Sequence, residues 1–85
     1  MRKRIRVEGV VQAVGFRVAV AQRARSRGVA GWVRNVPDGR VEAVFEGDAV
    51  DELVEFCRVG PRGAVVSRVE VSDEEPEGLS SFDIR

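Results

Sequence analysis

The segment Gly9-Val10-Val11-Gln12-Ala13-Val14-Gly15-Phe16-Arg17 is where this chain concentrates its chemistry. An apolar strand pattern breaks at glycines, and an arginine follows in what reads as the first turn of a helix. Backbone N–H groups curled in such a loop face an anion, and the helix N-terminus adds partial positive charge. The guanidinium of Arg17 supplies planar donors matched to phosphate oxygens. A Walker-type loop is excluded, because Phe16-Arg17 follows Gly15 in place of Lys and Ser or Thr. Gly9 and Gly15 also fail the Gly-x-Gly-x-x-Gly dinucleotide spacing. The second candidate is Asn35, the one asparagine in the chain. It is a poor strand former amid Trp32, Val33 and Val36, and its carboxamide both donates and accepts.

The absences narrow the chemistry further. The 85 residues include no histidine and no tyrosine, and threonine is missing as well. Ser-His-Asp and Cys-His catalysis and His-ligated metals are thereby excluded. The single Cys57 allows no internal disulfide and no thiolate-held iron–sulfur cluster from this chain alone. It lies beside Leu53 and Phe56 in a helical apolar pattern and is expected in the core. No acidic cluster has metal-loop spacing, so neither metal nor cofactor is expected. The remaining tools are arginine, amide, backbone N–H and bound water.

Fourteen basic and fourteen acidic residues leave no formal net charge, which argues against nonspecific nucleic-acid binding. No apolar run is long enough to span a bilayer and no secretory signal pattern is present. A cytoplasmic monomer folded as one domain over residues 1–85 is the expectation.

The elements that must position these residues follow from periodicity. Lys3 to Glu8 alternates apolar and charged side chains, a half-buried strand; the basic run from Arg2 to Arg6 is its solvated side. Phe16 to Arg27 carries Phe16, Val20 and Ala24 at helical spacing, with Gly28 as the stop. Gly31–Val36 and Arg40–Glu46 read as strands joined by the hairpin turn Val36-Pro37-Asp38-Gly39. Asp48 is the expected N-cap of a second helix running to about Arg58, with Leu53, Phe56 and Cys57 on its apolar face. A fourth strand spans about Ala64 to Val71, with Val65, Val69 and Val71 on one face. An acidic loop holding Asp73, Glu74, Glu75 and Glu77 follows, and Phe82 and Ile84 suggest a short last strand. The order βαββαβ, plus that strand, predicts an α+β ferredoxin-like sandwich: an antiparallel sheet with two helices on one face.

On these residues the sequence resembles the acylphosphatase family. Residues 9–17 are similar to its first motif, Gly-x-Val-Gln-Gly-Val-Gly-Phe-Arg. Gly31-Trp32-Val33-Arg34-Asn35, with Gly39, Val41 and Gly47, resembles its second. The resemblance implies hydrolysis of the carboxyl–phosphate bond of small acyl phosphates, releasing inorganic phosphate, without a metal. It implies that Arg17 binds the phosphoryl group with backbone N–H groups of Gln12, Ala13, Val14, Gly15 and Phe16, and that Asn35 positions the attacking water. The chemistry agrees, since a carboxylate leaving group, with a conjugate acid of pKa about 4, needs no protonating side chain. Trp32 is expected to pack, and Arg34 and Glu42 to be surface charges.

The pattern breaks at Ala13, where the family has glycine. A left-handed conformation there would cost an alanine on the order of 1–2 kcal/mol. A catalytically weak or silent anion binder of the same fold is therefore the alternative. A maturation domain of larger carbamoyl-transferring proteins is disfavoured by Val18, where proline is common. An RNA-recognition module is disfavoured by Glu42 and Glu46 on the third strand, opposite its one aromatic.

Overall fold

Alternating sequence becomes alternating burial in the first strand, β1 (Arg2–Val10), where Ile5 and Val7 are buried. The computed structural model describes all residues, 1–85. After β1 come α1 (Phe16–Ser26), β2 (Ala30–Asn35), β3 (Val41–Glu46), α2 (Val50–Val59), β4 (Val65–Asp73) and β5 (Phe82–Ile84). The sheet order is β4-β1-β3-β2-β5. The β1–β3, β1–β4 and β2–β3 pairs are antiparallel. This is the ferredoxin-like sandwich with one difference from expectation: β5 pairs parallel to β2, Gly31 opposite Phe82 and Val33 opposite Ile84. The sheet is therefore mixed.

Ile5, Val7, Val33, Val41, Ala43 and Phe45 form the sheet side of the core, and Phe16, Val20, Leu53 and Cys57 the helix side. Phe82 stacks on Phe45 with ring centroids 5.8 Å apart, which fastens β5 to the core. No helix is long and apolar enough to cross a membrane.

Three local expectations are corrected. Asp48 is not the N-cap of α2; that place falls to Ala49, without a side-chain bond, and Asp51 and Glu52 supply the acidic first turn that suits the helix dipole. Val65 does not share a face with Val69. A register shift opposite Glu8 and Gly9 leaves Ser67 as the extra residue of a bulge, so Val66 packs on the core and Val65 is exposed. The bulge needs Gly9, whose φ is 129° and whose missing Cβ would lie 2.0 Å from the Val65 carbonyl oxygen.

The third correction concerns the helix-free face. Arg2 is buried, not solvated, and pairs with Glu46 at 2.6 Å. Glu46 also accepts the backbone N–H groups of Glu77 (2.9 Å), Gly78 (3.0 Å) and Leu79 (3.1 Å). Burial pushes the Glu46 carboxyl up, but these donors together outweigh it and hold the carboxyl at about 2. Glu74 is not a free loop residue: it binds Arg2 at 2.9 Å and Arg4 at 2.6 Å. The acidic segment is a strap tied across the end of the sheet.

Candidate active site

The loop between β1 and α1 folds as an anion cradle would have to. Ala13 has φ 61° and Gly15 has φ 74°, so two left-handed residues flank Val14 and curl the chain. The N–H groups of Gln12, Ala13, Val14 and Gly15 donate to no backbone carbonyl. Those of Phe16 and Arg17 open the helix and have no intrahelical acceptor by geometry. Of this run, Ala13, Gly15, Phe16 and Arg17 line one concavity at the positive end of α1, whereas Gln12 and Val14 do not line it. The Phe16 ring leaves the loop and is buried in the core, which anchors the first helical turn.

The cradle is a cavity of about 120 Å³, with Ala13, Gly15, Arg17, Asn35 and Ile84 among the residues that line it. Arg17 has no acidic side chain as a partner; its Nη1 donates to the main-chain oxygen of Arg85 at 2.9 Å. Asn35 closes β2, and its carboxamide makes no hydrogen bond within the protein, so both functions of the amide remain available to a ligand or water. The residues singled out from the sequence thus meet at one place: Arg17 and Asn35 lie 18 positions apart in sequence and share one wall.

Sequence reasoning gave Gln12 only a backbone role. Its side chain also bridges to the β2–β3 hairpin, Nε2 donating to the carbonyls of Val36 (2.8 Å) and Arg40 (2.9 Å). The hairpin is closed by Val36 N–H donating to Arg40 O and by Arg40 N–H donating to an Asp38 carboxylate oxygen. Gln12 therefore fixes the cradle relative to the element that carries Asn35.

A wider cleft opens beside the cradle on the helix-free face. Arg4, Arg6, Arg34 and Arg85 line it with Arg17 and Asn35, and Trp32 forms its floor. Trp32 is packed, as expected, but beneath guanidinium groups: Arg85 lies 4.8 Å, Arg4 5.5 Å and Arg34 5.8 Å from its ring. Glu42 is not a surface charge. It is 3 % exposed and pairs with Arg34 (2.8 Å), Arg6 (3.1 Å) and Arg4 (3.2 Å). Burial pushes its carboxyl up, but the bonds from Arg34 and Arg4 hold it below the ordinary carboxylate range.

Fold and loop together define a small α+β sandwich with a cavity of about 120 Å³ at the β1–α1 junction. The acylphosphatase family model matches residues 3–84. The acylphosphatase of Trichormus variabilis is 53% identical, covering 100% of this chain and 86% of that relative. The crystal structure of acylphosphatase from Bacillus subtilis superposes with a TM-score of 0.94 at 40% identity, covering 99% of this chain and 97% of that one. HypF from T. kodakarensis aligns with a TM-score of 0.80 at 33% identity, covering 98% of this chain but 12% of that protein. The chain belongs to the acylphosphatase family.

Proposed function

We propose that this chain is an acylphosphatase whose site works through Arg17, the Gln12–Phe16 backbone and Asn35. The observation that carries the reading is convergence: the loop residues Ala13, Gly15 and Phe16, whose N–H groups have no backbone acceptor, an arginine without an acidic side chain beside it and an unbonded carboxamide line one cradle. The phosphoryl group of the acyl phosphate sits in the loop, its oxygens held by the N–H groups and the Arg17 guanidinium. The Asn35 carboxamide holds a water in line with the bond to the acyl oxygen. Water attacks phosphorus, the P–O bond to the acyl oxygen breaks, and the carboxylate leaves with the bonding electrons. The water's proton passes to a phosphoryl oxygen. Catalysis is then positioning and charge stabilisation, for which this chain's residues suffice without metal or cofactor. The site so proposed needs no residue from a second chain. The enzyme acts on small molecules in the cytoplasm, with neither nucleic acid nor membrane as a partner.

The test is hydrolysis of benzoyl phosphate by the purified protein, with and without chelator, and by Arg17→Ala and Asn35→Ala. Chelator-insensitive turnover that falls by about 100-fold or more in both variants is expected. Absence of turnover, with phosphate still raising the melting temperature, would establish the silent anion binder instead.

A further inference from the structure

The cleft beside the cradle is larger than a phosphoryl group requires. It spans about 730 Å³ and is widely open to solvent, against about 120 Å³ for the cradle. Arg17 and Asn35 line both spaces. A substrate whose phosphoryl group lies in the cradle therefore directs its acyl group past this pair and over Trp32.

The charge of that space is one-sided. Five guanidinium groups line it with a single acidic side chain, that of Glu42. Among side chains the surplus is four positive charges, or three once Glu74 is set against Arg4, in a chain of zero formal net charge. Glu42 is shared among three arginines and neutralises the equivalent of one. Arg34 spends Nε and one terminal nitrogen on Glu42, and Arg6 spends one terminal nitrogen; each keeps free donors. Both side chains are partly exposed, 48% for Arg34 and 40% for Arg6. Arg85 has its guanidinium over Trp32 and no acidic side chain within salt-bridge distance. Guanidinium groups gathered in this way repel one another, and an added anion relieves that repulsion.

We propose that the cleft is a second anion subsite of the same active site, selecting acyl phosphates whose acyl portion carries a further carboxylate or phosphate. Arg34 and Arg6 are its specificity-determining residues, and Trp32 is the surface on which the acyl group lies. The inference rests on the acylphosphatase reading and narrows its substrate class.

The experiment compares kcat/KM for 4-carboxybenzoyl phosphate and benzoyl phosphate, rigid substrates that differ by one remote carboxylate. The preference for the charged substrate is read in the parent, in the double variant Arg6→Gln/Arg34→Gln, and in Arg62→Gln, which removes a charge elsewhere on the surface. A ratio of ratios cancels intrinsic reactivity and any general loss of activity. It is expected to fall about fivefold or more in the double variant, a size suited to exposed charge contacts, and to stay unchanged in Arg62→Gln. The parent's preference is also expected to shrink as salt is raised from 20 to 500 mM, on the order of the screening expected for exposed charges; this arm decides the matter if the double variant does not fold. 4-Phosphonobenzoyl phosphate, compared in the same way, distinguishes a carboxylate-selective subsite from one that also takes phosphate-like groups. Turnover of both parent substrates with a salt-independent preference that the double variant retains would overturn the subsite alone. Turnover of neither would overturn the acylphosphatase reading on which it rests.

Discussion

The Gln12 side chain holds the carbonyl of Val36 at 2.8 Å, across 24 residues of sequence. Through it, the anion loop and the strand end that carries Asn35 form one unit. Replacing Gln12 with Ala removes this bond and the companion bond to Arg40. Each net hydrogen bond contributes about 1 kcal/mol, so unfolding free energy is expected to fall by about 1–2 kcal/mol. Turnover is expected to fall further than phosphate affinity, because the variant loosens Asn35 while leaving the loop N–H groups. Chemical denaturation and parallel kcat and phosphate-inhibition measurements check both parts.

Ala13 occupies a left-handed conformation, φ 61°, which an alanine adopts at a cost of roughly 1–2 kcal/mol. Ala13→Gly relieves that strain but gives the unfolded chain more freedom. The expected net is a gain in stability below about 1 kcal/mol, with tighter phosphate inhibition because the loop backbone approaches the ligand without a methyl group. Melting temperature and inhibition by phosphate, unchanged together, would contradict this account.

Glu42→Gln leaves Arg4, Arg6 and Arg34 around a neutral amide. Removing one partner of a buried ion pair costs about 3–5 kcal/mol; partial exposure of the arginines brings the expected loss below that range, to about 2–3 kcal/mol. Phosphate or sulfate should recover part of the loss more effectively than chloride at equal ionic strength. Thermal melts in the three salts measure it.

The Glu46 carboxyl, at about 2 in the folded protein against an ordinary 4.5, makes stability depend on acid. A depressed folded-state pKa contributes stability that is complete above about 4.5 and is lost as pH falls toward 2. Glu74, held at about 2 first by Arg4 and then by Arg2, acts over the same window. Denaturation at a series of pH values should show stability declining steadily through it. Glu46→Gln should be less stable at neutral pH and show a shallower, still visible, decline.

Cys57 is buried, and burial pushes its thiol up to about 12. A disulfide reagent should leave the native protein unlabelled at pH 8 and modify one thiol per chain in denaturant. Rapid labelling of the folded protein would show that α2 opens readily.

Much of this architecture was legible because the signals were local. The alternation in β1 and β3, the helical stripes and the glycine-bounded loop each lie within one short window, and Arg17 and Asn35 could be singled out from them. Features that depend on register between distant segments were not legible. The side of the sheet to which Val65 points depends on a bulge set by the partner strand, and three residues of β5 do not declare a parallel pairing. Alternation places Glu42 and Glu46 on the helix-free face, which is correct, but reads that face as solvated. It does not show that arginine side chains from β1 and β2 and a strap from residues 74–79 cover it. The partners of the Gln12 side chain, and the place of Arg85 at the cleft, likewise arise only once the chain has closed.

The interior position of β1 in the sheet has a consequence for the chain as it is made. Its two neighbours, β3 and β4, come from residues 41–46 and 65–73. During synthesis, which proceeds from the N-terminus, Ile5 and Val7 therefore emerge long before either pairing partner exists. Such distant pairings also form slowly, in milliseconds to seconds for sheet-rich domains. β1 is made well before either strand that satisfies it, and its alternating arginines keep that waiting strand charged and soluble in the interval.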